Sequence, residues 1–293
     1  MRNSIIVLLI FLIACTKKDV APVTFNVTTT ATTYKVGDSV VFTMFGNPDY
    51  IVFYSGEAGS NYENRNRISA TGTPILSFLS SALTGSDTGT LHLMLSKDFS
   101  GKYDSSSIKN ATWTDITNLA KLPTKNNDTL LSDNISLADF IHKDTPVFVA
   151  FKYADQQNGV TPQRTWLIQN LVLKNILQDS TSTTLLDLPN SSWLGVNILN
   201  SSAIWSISST AMKIAGGNAA AASNEDWVVS QPVNLTRVSP DVGTSIKTFT
   251  DPVLKSYYHI YTKPGNYTIV FDAINANSNS GQEVLKKINI TVK

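Results

Sequence analysis

Charge is scarce in this chain, and cysteine scarcer. Only 15% of the 293 residues are Asp, Glu, Lys or Arg, and Cys15 is the single cysteine. One cysteine excludes a disulfide within the chain, so stability has to come from packing. The 23 basic and 22 acidic side chains nearly cancel, and no basic stripe is visible to attract nucleic acid. No apolar run reaches the ~20 residues that a membrane-spanning helix needs. Motifs that carry chemistry are missing as well: no His-Glu-x-x-His, no Gly-x-Ser-x-Gly, no phosphate-binding glycine loop and no Cys-x-x-Cys. The three histidines are scattered: His92 in an alternating strand, His142 at a turn, His259 between tyrosines. Each reads as a core or surface residue. Carboxylates are numerous enough that some pair is inevitable, so they do not single out a glycosidase. The expectation is a protein that is not an enzyme.

At the start, Met1-Arg2-Asn3 precedes an uncharged apolar run from Ile5 to Ile13. That length and polarity fit a secretory signal peptide. Leu12-Ile13-Ala14-Cys15 then resembles the lipobox of bacterial lipoproteins. The resemblance implies cleavage after residue 14 and lipidation of Cys15, with Thr16-Lys17-Lys18-Asp19 in a polar tether. Each buried acyl CH₂ contributes ~0.8 kcal/mol, so several chains anchor firmly. Loss of Arg2 with the signal leaves 22 basic and 22 acidic groups. No Asp follows the cysteine directly, so an outer-membrane location, facing outward, is expected.

Further on, short β-branched or alternating runs predict strands. They include Ser39–Phe45, Tyr50–Tyr54, Leu91–Leu95, Pro146–Tyr153, Thr165–Leu173, Tyr267–Phe271 and Lys287–Val292. In the last, Ile288, Ile290 and Val292 share one face while Lys287, Asn289 and Thr291 share the other. Short helical turns are expected near Leu76–Leu83 and Leu137–Ile141. The fold class expected is all-β.

Val36-Gly-Asp-Ser-Val-Val-Phe-Thr43 and Tyr261–Ala273 resemble the opening strand and the closing hairpin of a polycystic-kidney-disease-type (PKD) immunoglobulin-like domain, with Pro264-Gly265 as the hairpin turn. Residues 24–68 supply too few strands to close such a sandwich of about seven. The reading is therefore one Ig/PKD-like sandwich built from both chain ends, 24–69 and 240–293, after a signal peptide (1–14) and a tether (15–23). Between them, Ala111–Ile116, Pro146–Tyr153, Thr165–Val172 and Asp226–Leu235 resemble jelly-roll modules of bacterial adhesins and cleaved surface proteins. Residues 70–239 are read as that insert, a galactose-binding-like jelly roll. The whole resembles a Bacteroidetes lipoprotein family of unknown function whose members often accompany outer-membrane glycan-uptake systems. This implies glycan binding, with an uptake porin complex as partner.

Sugars offer C–H faces to aromatic rings and hydroxyls to amides and carboxylates. All five tryptophans fall in the proposed insert. Trp113, Trp166 and Trp227 lie inside the jelly-roll motifs, where core packing accounts for them. Trp193, in the loop-like Pro189–Gly195, is the exposed-platform candidate, followed by Trp205 and Trp113. The polar segment Tyr54–Arg67 reads as a join in which Arg65 and Arg67 pair with acids. No cofactor is implied. Jelly-roll modules often hold a structural calcium in oxygen-lined loops, but no Asp-x-Asp-x-Asp run assigns one here. Two other readings stay open: an adhesion or scaffold lipoprotein with a protein partner, and a glycoside hydrolase.

Overall fold

The computed structural model describes residues 20–142, 145–277 and 280–293. The chain divides into two compact units, one taking the chain up to Arg65 together with Asp241–Lys293, the other Asn66–Pro240. The joins at 65/66 and 240/241 compare with 69/70 and 239/240 read from the sequence. Both units are all-β.

The end-built unit is a sandwich of two sheets. One has three strands, with Ser39–Gly46 between Phe25–Thr29 and Ser256–Ile260. The other has five, in the order Thr244–Lys247, Tyr50–Tyr54, Gly265–Ala276, Gly281–Val292 and Thr33–Tyr34, the last pairing in parallel. Alternation decides what is buried: Val40, Phe42 and Met44 point inward while Val41, Thr43 and Phe45 stay in solvent. Phe42, Phe53 and Phe271 meet at the centre with ring centroids 5.1–5.8 Å apart. Ile290 and Val292 are buried, as the period of the last strand predicts.

Pro264-Gly265 corrects one expectation. The strands on either side of it belong to different sheets, so the segment crosses the sandwich and is not a hairpin turn. The hairpin is Gly265–Ala276 with Gly281–Val292, paired along its whole length.

The inserted unit is also a two-sheet sandwich. Its five-stranded sheet runs Trp193–Leu199, Asn224–Ser230, Phe148–Asp155, Leu91–Ser96 and Thr114–Asp115. The facing sheet centres on two long neighbours, Thr73–Thr84 and Thr165–Ile176. Phe78 and Phe151 touch edge to face across the core at 5.1 Å. The expected helical turn at Leu76–Leu83 is instead part of Thr73–Thr84. Apolar residues at 76, 79 and 83 mimic a helical period, but Leu76, Phe78 and Ser80 are the buried set, and a strand on each side satisfies the backbone. A 3-10 turn does form at Ala138–Phe140.

The outer face of the five-stranded sheet is apolar too, and a short helix, Ser105–Asn110, helps to cover it. Asp104 caps that helix by accepting from the Ser107 N–H at 2.7 Å. Ile108, Phe99 and Trp113 pack there against Phe148 and Trp227.

Candidate functional site

Cys15 lies outside the described residues. The tryptophans lie inside them, and none forms an open platform. Trp193 is only 6% exposed, and its indole N–H donates to the Asp187 carbonyl at 3.0 Å. Its context looked like a loop, but the residue opens a strand and points into the core, which overturns its reading as an exposed platform. Trp205 is buried and donates to the Asp226 carbonyl at 3.3 Å. Trp113 is half-buried against Trp227 and donates to the Ile108 carbonyl. Trp166 and Trp227 are buried, bonding Thr90 Oγ1 and Glu225 Oε1. All five indole N–H groups are thus consumed within the protein.

The histidines pair with neighbours: His92 with Asp115 at 2.9 Å, His259 with Glu57 at 2.8 Å, and His142 with Lys97. Among the described residues, no Ser, Thr or Cys hydroxyl or thiol hydrogen-bonds any of these rings. Arg65 stacks on Tyr62, 3.7 Å from the ring centroid, and bonds its carbonyl, and its charge also acts to lower the Glu63 and Asp272 carboxyls. Arg67 acts on an acid as well: it adds to the lowering of the Asp179 carboxyl, which comes first from the Thr181 hydroxyl. Among the described residues, no group of three or more His, Cys, Asp or Glu is placed to hold a metal ion.

Sequence reasoning missed the strongest site. It forms where three loops of the inserted unit are stitched together at one end of the sandwich. The Gln163 N–H donates to the Gly217 carbonyl, the Gly159 N–H to Ala219, and the Ser86 N–H to Pro162. Gly85, at φ +84°, approaches so closely that a Cβ there would lie 2.0 Å from the Gln163 carbonyl oxygen. Asp155 closes one strand and Arg164 precedes the next, so this stitching buries both.

The buried charges at this end are only partly answered. Asp155 Oδ2 accepts from the Tyr153 hydroxyl and the Arg164 backbone N–H, both at 3.1 Å, while Oδ1 has no hydrogen-bond donor. Burial, followed by the neighbouring Asp87 carboxyl, pushes the Asp155 carboxyl up to about 6. Asp87 itself accepts from the Thr161 hydroxyl at 2.5 Å and from the Asn158 amide at 3.1 Å. Arg164 is 3% exposed, yet Nε and Nη1 of its guanidinium have no acceptor.

Beside Arg164 opens a cavity of about 130 Å³, lined also by Asp87, Thr88, Thr117, Trp166 and the Leu122–Thr124 segment. The wall of this small space is mostly apolar, and Asp87, Arg164 and the threonines contribute a small polar share. Such a mixture orients a small polar ligand that also has an apolar face. The only sequence signals were charged residues at the ends of two buried strands.

A family model, Domain of unknown function (DUF5017), matches residues 14–193. No curated protein and no solved structure matches the chain.

Proposed function

The chain belongs to the DUF5017 family, a domain of unknown function, and from that premise we propose a non-catalytic lipoprotein that captures glycan for an outer-membrane polysaccharide uptake system. Its anchor is Cys15, and its binding unit is the inserted sandwich, in our reading a jelly roll carried by a PKD-like sandwich. The observation that carries the glycan reading is the cavity beside Arg164. Threonine hydroxyls and Asp87 there can exchange hydrogen bonds with sugar hydroxyls, while Leu91, Leu122 and Pro123 offer apolar surface to a C–H face. Calorimetry or affinity electrophoresis of the full chain against a polysaccharide panel tests it. Binding to at least one glycan is expected, and binding to none refutes the reading.

A second reading, a scaffold with a protein partner, draws on a different face. Phe45, Val41, Tyr258 and Ile260 are each more than 40% exposed on the outward side of the three-stranded sheet. Co-purification of the acylated chain with an uptake porin, without affinity for any glycan, favours that reading over the first.

A further inference from the structure

Arg164 poses a problem that the fold does not answer. Its guanidinium is buried and charged, and Nε and Nη1 meet no acceptor among the described residues. Uncompensated charge away from water is strongly unfavourable, and buried arginines are ordinarily paired. The two nearby carboxylates do not supply the pair. Asp87 is engaged by Thr161 and Asn158, and Asp155 meets Arg164 through its backbone N–H. Instead the side chain lines the cavity with Asp87 and Trp166. Its guanidinium lies over the Trp166 ring, 5.8 Å from the centroid, a contact that accepts no hydrogen bond and leaves Nε and Nη1 without an acceptor. An arginine so placed beside a cavity is arranged for an anion from outside.

The chemistry of the anion follows from the rest of the lining. Guanidinium matches the planar fork of a carboxylate. An inorganic oxyanion would satisfy Arg164 but has no hydroxyl for Asp87 and no use for the apolar wall at Leu91, Leu122 and Pro123. A sugar acid uses all three. Drug-sized pockets run to about 300–1,000 Å³; a cavity of about 130 Å³ takes one sugar residue by its acidic end, not a run of several.

We propose that the Arg164 cavity recognises a carboxylate-bearing sugar residue of the uronic or sialic acid type, with Arg164 holding the carboxylate and Asp87 accepting from a ring hydroxyl. The proposal rests on the glycan reading above and narrows it to acidic glycans.

The test is titration of the full chain with glucuronate, N-acetylneuraminate, glucose, acetate and sulfate, in the native protein and in Arg164→Gln. At least one of the two sugar acids is expected to bind tenfold or more tighter than glucose, acetate and sulfate, and to raise the melting temperature. Arg164→Gln should erase that preference. It should also melt at or above the native temperature without ligand, because it removes an unpaired buried charge. A lower melting temperature would mean that the guanidinium serves the fold, and would overturn the proposal. So would glucose binding as tightly as both sugar acids, or acetate or sulfate matching them. Both of these are read on the native protein, so they decide the matter even if the variant does not fold. Polysaccharide binding that survives Arg164→Gln with no preference for acidic chains sinks this proposal and leaves glycan capture standing. Sugar-acid binding without affinity for any polysaccharide does the reverse.

Discussion

Tyr261 and Tyr153 are the most deeply buried tyrosines of the two units, and their hydroxyls meet different company. Tyr62, also buried in the end-built unit, donates to the Glu283 carboxylate at 3.2 Å. In the end-built unit Tyr261 donates to the Ser55 carbonyl at 2.8 Å, a neutral acceptor that the bond satisfies. In the inserted unit Tyr153 donates to Asp155, a buried carboxyl whose other oxygen lacks a donor. Burial pushes both phenols up, but only Tyr153 belongs to a cluster with unanswered charge. The contrast extends beyond the pair. Asp272 Oδ1 is the one buried side-chain atom without a partner in the described end-built unit, whereas the inserted unit holds such atoms on Asp155, Arg164, Asn175, Asn224 and Asp226. A buried polar group without a partner is costly, so a fold keeps several together only where something offsets them. In the function proposed above, the end-built sandwich would be the support and the inserted one the receptor.

The largest test of that contrast is in the two cores. Phe271 and Phe151 are both fully buried, and truncating either to alanine should cost about 3–5 kcal/mol. Differential scanning calorimetry of Phe271→Ala should show destabilisation while the sugar affinity of the inserted unit survives. Phe151→Ala should lose stability and affinity together. If Phe271→Ala abolishes binding at a temperature where the inserted unit is still folded, the division into support and receptor fails.

A smaller effect separates the units by pH. Burial pushes Asp155 and Asp226 in the inserted unit, and Asp272 in the end-built one, up to about 6. In the unfolded chain an Asp titrates near 3.9. The folded state therefore holds more protons between those values, and the stability this confers is complete below about pH 4. It is lost as pH rises through about 6. For Asp226, nearly inaccessible, a shift of that size is on the order of 3 kcal/mol, and Asp155, raised by burial and by Asp87, adds in the same direction. The inserted unit should thus lose more stability between pH 4 and 7 than the end-built one. Asp226→Asn should flatten its profile in denaturant titrations, and an unchanged slope would show that Asp226 is answered within the fold.

What could be read beforehand follows from how far apart the cooperating residues lie. Alternation within one strand is local, so Val40, Phe42 and Met44, or Ile290 and Val292, declare their faces directly. Leu76–Leu83 misled because a short apolar stretch fits either period, and only its neighbours in the sheet decide. Pro264-Gly265 misled because a turn signal does not say whether the flanking strands share a sheet. The Arg164 site was invisible for a stronger reason. Asp87, Asp155 and Arg164 come from three separate segments, and loop-to-loop bonds bring them together. Tryptophan drew attention in the sequence because aromatic rings bind sugars, yet in this fold all five indoles serve the protein's own hydrogen bonds.

Trp193 provides the finest test, because it sets the site suggested by sequence against the site found in the structure. Its ring faces the core and its N–H reaches the Asp187 carbonyl, in a turn where Asp187 also accepts from the Asn190 backbone and amide at 2.8 Å. Trp193→Phe keeps an aromatic ring there and removes one neutral hydrogen bond, a loss of about 1 kcal/mol. The melting temperature of the inserted unit should fall slightly. Affinity for neutral and acidic sugars should not change, because the residue offers no face to solvent and does not line the Arg164 cavity. Loss of sugar binding with the fold intact would move the receptor to the Asp187–Trp193 turn. Unchanged binding leaves the indole a structural part, whose N–H completes the turn that opens its strand.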